Sequence, residues 1–129
     1  GFQAEVANES SVGGLYETGG RAWVVQPKAE LTSKCYKPGE WNDLTVSARG
    51  RNVTVHLNGE KTAELKDDPG RLKGRFALQL HGGQDMEVMF KGLEIQTGEE
   101  PLDTDRARPW VGMTGRRLCG SSPPVVAGT

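Results

Sequence analysis

Cysteine is scarce in this chain: Cys35 and Cys119 are its only two in 129 residues, too few for a disulfide framework or a four-ligand structural zinc site. Both are expected as free thiols. An excess of either charge is also lacking. Sixteen Lys and Arg stand against 17 Asp and Glu, a formal net charge of −1, so electrostatics gives no reason to expect nucleic acid or an anionic membrane as partner. No apolar run approaches the roughly 20 residues that a spanning helix needs, which argues against membrane insertion. The two histidines have no metal-type spacing partner, and there is no glycine-rich phosphate loop or nucleophile elbow. No metal or cofactor is therefore expected. Asp67-Asp68 stands directly before Pro69-Gly70, the composition of a solvated turn more than of a cation site.

Helical periodicity is hard to find, whereas alternation and turns are plentiful. Eighteen glycines are about twice average usage, and they sit between short apolar runs as turns do in an all-β chain. Phe2, Ala4 and Val6 alternate with Gln3 and Glu5. Residues 12–17 and 21–25 read as short strands, and residues 26–40 as a polar, turn-rich stretch ending in Lys37-Pro38-Gly39-Glu40. Leu44, Val46 and Ala48 share one face. Val53, Val55 and Leu57 alternate with Asn52, Thr54, His56 and Asn58. Asn58-Gly59 is a strong hairpin signal, because both residues tolerate positive φ. Lys61–Leu65 returns as the partner strand. Phe76–His81 reads as a further strand, Gly82-Gly83 as a turn, and Met86–Ile95 as the last strand, with Gly92 marking a bulge.

From Thr97 onward the pattern gives way to charge, Gly, Pro and Ser. We therefore expect two parts: residues 1–96 as a sandwich domain, and 97–129 as a tail or linker with little fixed structure, in which Trp110 is large and apolar enough to dock. Up to eight short strands without a helix point to a sandwich or barrel. That count is low for two full sheets, and the first strand begins at residue 2. A piece of a longer protein, lacking N-terminal strands of the same domain, would account for both.

Several residues carry chemistry on the expected outer faces. In Phe76–His81 the apolar set points inward, leaving Gln79 and His81 outward. Gln79 donates and accepts, which suits a sugar hydroxyl, and His81 can move a proton near neutral pH. The same groups equally suit an ordinary solvated face. Gln3 and Glu5 repeat the logic, and would meet Gln79 and His81 if the two strands share a sheet. Tyr16, Glu17 and Arg21 flank a Gly-rich turn, where a phenol can stack on a sugar and Arg21 can equally pair with Glu17. Trp41 is expected to pack over a sheet edge. Trp23 is a further aromatic platform whose position the pattern leaves open. His56 reads as an exposed strand residue.

Taken in order, Gly1-Phe2-Gln3-Ala4-Glu5-Val6, Gly14-Leu15-Tyr16-Glu17 with Gly20-Arg21, Lys37-Pro38-Gly39-Glu40-Trp41-Asn42, Leu57-Asn58-Gly59, Ala77–Gly83 and Met86–Leu93 resemble the 3-keto-disaccharide hydrolase domain family. The resemblance covers residues 1–96. It implies an all-β, antiparallel jelly-roll β-sandwich of the concanavalin A-like lectin/glucanase type, common in secreted bacterial proteins, and hence a secreted or periplasmic setting. It also implies an activity on 3-keto-glycosides: a base removes the acidified C2 proton, the C1 oxygen leaves, and water adds to the enone. On that reading His81 or Glu5 is the base and Tyr16 or Glu17 the acid, while Gln79, Gln3, Arg21 and Lys91 bind substrate. The family's last strand usually carries Arg-Asn where this chain has Lys91-Gly92, and Lys does not reproduce the bidentate fork of Arg. The alternative is a non-catalytic, lectin-like module of a larger secreted protein, with carbohydrate as its partner. A weaker third reading is a sandwich that mediates protein contacts.

Overall fold

The computed structural model describes residues 1–83 and 85–97 and the backbone of residues 125–126. It consists mostly of strands in antiparallel sheets, with one short helix. Strands β1 (Phe2–Ala4), β2 (Leu15–Glu17) and β3 (Ala22–Val25) form an antiparallel sheet in the order β1-β2-β3. Helix α1 (Ala29–Cys35) follows, and then β4 (Leu44–Arg49), β5 (Asn52–Leu57) and β6 (Glu60–Leu65) form an antiparallel meander. The short strands β7 (Val88–Met89) and β8 (Val125–Val126) pair in parallel.

The meander follows the sequence pattern closely. Leu44 pairs with Leu57, and the register runs without slip to Arg49 opposite Asn52. Gly50 closes that hairpin at φ +57°. Asn58 and Gly59 both take positive φ, +50° and +86°, the pair of left-handed residues that a tight hairpin requires. Val53, Val55 and Leu57 point to one side and are buried with Leu44, Ala63, Val12, Leu15 and Cys35. Ala4 and Val25 of the first sheet, with Val6 just beyond β1, pack against this cluster, so the two sheets share a single core. Each fully buried Val or Leu contributes roughly 1.5–3 kcal/mol.

Two polar contacts hold the loops to that core. The Thr62 hydroxyl, buried on β6, donates to the Gly13 carbonyl at 2.8 Å, which ties the β1–β2 connection to the meander. The buried Asn42 amide accepts from the Lys37 N–H at 2.8 Å and from Asn58 Nδ2 at 2.7 Å, and donates to the Lys37 and Glu40 carbonyls at 2.8 and 3.0 Å. Asn58 in turn accepts from the Asp43 N–H at 2.8 Å and donates to the Cys35 carbonyl at 2.6 Å. Helix exit, turn and hairpin tip are thus fastened by two asparagines. Among the described residues no buried side-chain N or O atom lacks a partner.

Four expectations are corrected. Residues 29–35 form a helix, not a turn-rich stretch. Seven residues are two turns, too short to display a period of 3.6, and the helix survives by burying Thr32 and Cys35 one turn apart. Phe76–His81 is irregular, not a strand, with Phe76, Leu78 and Leu80 exposed by 76%, 45% and 60%. No described strand lies beside it to accept its backbone hydrogen bonds or cover its apolar side, and alternation alone cannot hold a strand. Of Met86–Ile95 only Val88–Met89 is strand. Val88 and Phe90 pack with Val6, while Leu93 and Ile95 are exposed beyond Gly92, which has φ +53°. Trp41 is exposed, with Lys91 Nζ lying 4.0 Å from its ring centroid, so it carries a cation instead of closing a sheet edge.

Cys35 is a buried free thiol, and burial pushes its pKa up. Cys119, Trp110 and nearly all of the expected 97–129 tail lie outside the described residues. Among the described residues no helix is long and apolar enough to cross a membrane.

Candidate functional site

Register decides which side chains meet on the first sheet. Ala4, Leu15 and Val25 are in line across β1, β2 and β3 and face the core. The next row, Gln3, Tyr16 and Trp23, is also in line and points away from the core, because successive residues of a strand alternate between faces. A register shift between Leu15 and Tyr16 makes Val24 an extra residue on β3. That bulge lets Trp23 face outward while Val25, two residues on, faces inward; in a regular strand both would share a face. The Tyr16 and Trp23 rings meet edge-on, their centroids 5.4 Å apart and their planes at 88°.

Glu5 lies on the same side as Gln3 and accepts from Gln3 Nε2 at 2.8 Å. The Gln3 carbonyl oxygen accepts from Thr18 Oγ1 at 3.3 Å, which fixes the amide's orientation. Burial raises the Glu5 pKa above the ordinary carboxylate value. The Gln3 hydrogen bond opposes that rise, Glu9 reinforces it, and His81 pulls it back. His81 therefore stands close enough to act on Glu5 electrostatically, although it comes from an irregular segment. Its Nδ1 lies 2.7 Å from the Gly82 carbonyl oxygen.

The remaining expected residues are elsewhere. Glu17 follows Tyr16 on β2 and so projects from the opposite face. There it pairs with Arg21, whose guanidinium also meets both carboxylate oxygens of Asp68, Nη1 at 2.9 Å and Nη2 at 2.8 Å. Asp68 is buried, not solvated: its Oδ1 accepts from the Gly70 N–H at 2.8 Å, and its carbonyl accepts from Arg51 at 3.0 Å. Hydrogen bonds from Arg21 hold both the Glu17 and Asp68 carboxyls below their ordinary range and raise the Arg21 pKa further. Arg21 also lies 5.8 Å from the Phe2 ring centroid. Gln79 is exposed in the irregular 76–81 segment. Lys91 sits on Trp41. Burial raises the neighbouring Asp43 carboxyl, and Lys37 and Lys91 draw it back.

The structure therefore brings Gln3, Glu5 and Tyr16 together with His81 nearby, and separates them from Glu17, Arg21 and Lys91. Two residues that sequence reasoning did not select take prominent places. Trp23 completes the outward row, and Asp68 anchors Arg21. Neither had a usable signal: the bulge hides Trp23's facing, and Asp-Asp-Pro-Gly reads as any loop. Among the described residues no cluster of three or more His, Cys, Asp or Glu could hold a metal ion.

A family described as the 3-keto-alpha-glucoside-1,2-lyase-like domain matches residues 1–96. Among curated proteins, the chain is 30% identical over 96 residues to one from Mesorhizobium japonicum (strain LMG 29417 / CECT 9101 / MAFF 303099) named N-(5'-phosphoribosyl)anthranilate isomerase; the alignment covers 68% of this chain and 44% of that protein. The chain thus spans less than half the length of this relative. No solved structure matches it. Since the family match takes in residues 1–96 of 129, the chain belongs to the 3-keto-alpha-glucoside-1,2-lyase-like domain family.

Proposed function

We propose that residues 1–96 are the carbohydrate-active part of the chain and cleave 3-keto-α-glucosides by elimination across C1–C2. The observation that carries this reading is Glu5: half-buried, hydrogen-bonded to Gln3, and within electrostatic reach of His81 on a face it shares with Tyr16. A carboxylate whose pKa is raised by burial is a stronger base than a solvated one. Glu5 takes the C2 proton, made acidic by the neighbouring ketone. The electron pair forms the enolate, the C1–O bond breaks, and the leaving oxygen receives a proton from Tyr16. Water then adds to the enone. Gln3 binds a sugar hydroxyl, and His81 supplies a donor where charge develops on the ketone oxygen. Tyr16 is assigned as the proton donor in place of Glu17, because Arg21 keeps the Glu17 carboxyl ionised.

The same proposal includes a jelly-roll sandwich for residues 1–96, with Gln79 as a further substrate-binding residue. It also includes a secreted or periplasmic setting, supported by the family resemblance alone.

The test is release of aglycone from an aryl 3-keto-α-glucoside by the full-length polypeptide. Glu5→Gln is expected to lower kcat/KM by at least about 100-fold, the usual range for loss of a general base, and His81→Ala to lower it less. With Glu5 as the base, kcat/KM rises with pH through a midpoint above the usual carboxylate value. Wild-type turnover in both variants overturns the assignment. Glycoside binding without any turnover in the wild type replaces the lyase by a lectin-like module.

A further inference from the structure

We propose that Trp23 is the stacking platform of the glucoside subsite, receiving the apolar face of a pyranose ring against its exposed indole. This inference rests on the carbohydrate reading above and extends it to a residue that reading does not use.

Three features accompany the outward facing of Trp23. The bulge at Val24 rotates it off the core side, as the register shows. Ala22, directly before it, has φ +62°, a left-handed conformation that costs a non-glycine residue stability and persists where the surroundings enforce it. Gly14 lies against the indole: a Cβ at Gly14 would stand 3.0 Å from Trp23 Cζ3, 3.0 Å from Pro27 Cδ and 3.0 Å from the Ser11 carbonyl oxygen. Glycine at this position lets the ring settle onto backbone. The edge-on Tyr16 ring supports it from the next strand. The result is a large aromatic side chain 38% exposed, held on several sides and not packed into the core.

The chemistry of the row matches a sugar. A pyranose has a face of C–H groups and a rim of hydroxyls. The indole face carries negative quadrupole potential, which attracts polarised C–H groups. One strand away stands the Tyr16 hydroxyl, and one further the Gln3 amide with Glu5 beside it. Apolar platform and polar rim are thus laid out in the order in which a ring stacked on Trp23 would present its C–H face and its hydroxyls. Trp41, the other exposed tryptophan among the described residues, is covered by Lys91 at 4.0 Å.

The experiment uses the full-length polypeptide and two probes. Methyl α-glucoside has no ketone, so its C2 proton is not acidified and it cannot eliminate; it reports binding alone, read by titration calorimetry. An aryl 3-keto-α-glucoside reports turnover. Trp23→Ala is expected to weaken methyl α-glucoside binding about tenfold, the loss of one stacking contact. It is also expected to raise KM for the aryl substrate by a larger factor than it lowers kcat. Trp23→Phe, which keeps a ring, restores most of the binding. Gly14→Ala, which displaces the indole, weakens binding while leaving Trp23 present.

Wild-type affinity in Trp23→Ala overturns the platform. So does failure of Trp23→Phe to recover binding, because that pattern marks a packing role. Binding of methyl α-glucoside that depends on Trp23, without any cleavage of the aryl substrate, overturns the lyase reading and leaves the platform standing. A wild type that binds neither glucoside overturns both.

Discussion

Residues 52–57 and residues 76–81 are written in the same alternating code but hold different structures. In the first, Val53, Val55 and Leu57 are buried and every strand neighbour is present, with β4 on one side and β6 on the other. In the second, Phe76, Leu78 and Leu80 point into solvent and the backbone runs irregularly. The difference is not one of composition. A strand exists when its backbone groups find partners and its apolar side finds cover. The meander obtains both from tight hairpins at Gly50 and Asn58-Gly59, which bring partners within a few residues. Residues 76–81 have no such neighbour nearby in sequence, and among the described residues no strand pairs with them.

The largest predicted effect tests that contrast directly. Leu57→Ala should destabilise the protein by about 2–5 kcal/mol, the range for truncating a packed Leu. Leu78→Ala should change stability by less than about 0.5 kcal/mol, both measured by urea unfolding. Equal losses would mean that 76–81 is packed in solution and would erase the contrast.

A glycine pair sharpens it at intermediate size. Gly13 and Gly83 have similar positive φ, +79° and +76°, but a Cβ at Gly13 would lie 2.5 Å from Thr62 Oγ1, whereas at Gly83 it would meet nothing within 4 Å. Gly83→Ala should therefore lose only the left-handed strain, about 1–2 kcal/mol. Gly13→Ala should lose that and the crowding of a packed contact, on the order of 2–4 kcal/mol. A Gly13→Ala variant with the melting temperature of Gly83→Ala would show that the Thr62 contact gives way freely.

The smallest effect lies at the border of the two regions, where Asp68 is strapped to Arg21. The Asp68 pKa is lowered on folding, chiefly by the Arg21 hydrogen bonds. The stability it contributes is therefore complete above its unfolded value of about 4 and is lost as pH falls through the lower folded value. In Asp68→Asn this contribution is absent throughout. The stability gap between wild type and variant should be flat above about pH 5 and narrow below about pH 4, and salt should shrink it, because the Arg21 side chain is well exposed. A gap independent of pH would assign Asp68 a role other than its charge.

Much of the candidate site was legible from pattern alone. Alternation correctly put Gln3 and Glu5 outward and Ala4 and Val6 toward the core. The Asn-Gly signal correctly located the hairpin between β5 and β6. Tyr16 and Glu17, however, were equal candidates as neighbours in a run, and only pairing with Gln3 on one side and capture by Arg21 on the other tells them apart. Arg21's second partner, Asp68, is 47 residues away, beyond any local signal. The bulge that turns Trp23 outward leaves no trace in residue types.

The sequence by itself determined the class of structure, the meander with its turns, the buried row of β5 and the family to which the chain belongs. These depend on short-range facts: side-chain period, turn propensity and the order of motifs. Only the tertiary structure decided that residues 29–35 coil into a helix, that 76–81 does not extend into a strand, and that Gln3, Glu5, Tyr16 and Trp23 share one face while Glu17 and Arg21 are bound up on the other. Those outcomes rest on register and on partners remote in the chain, and a side chain's company across a sheet is fixed by its neighbours' pairing rather than by its own identity.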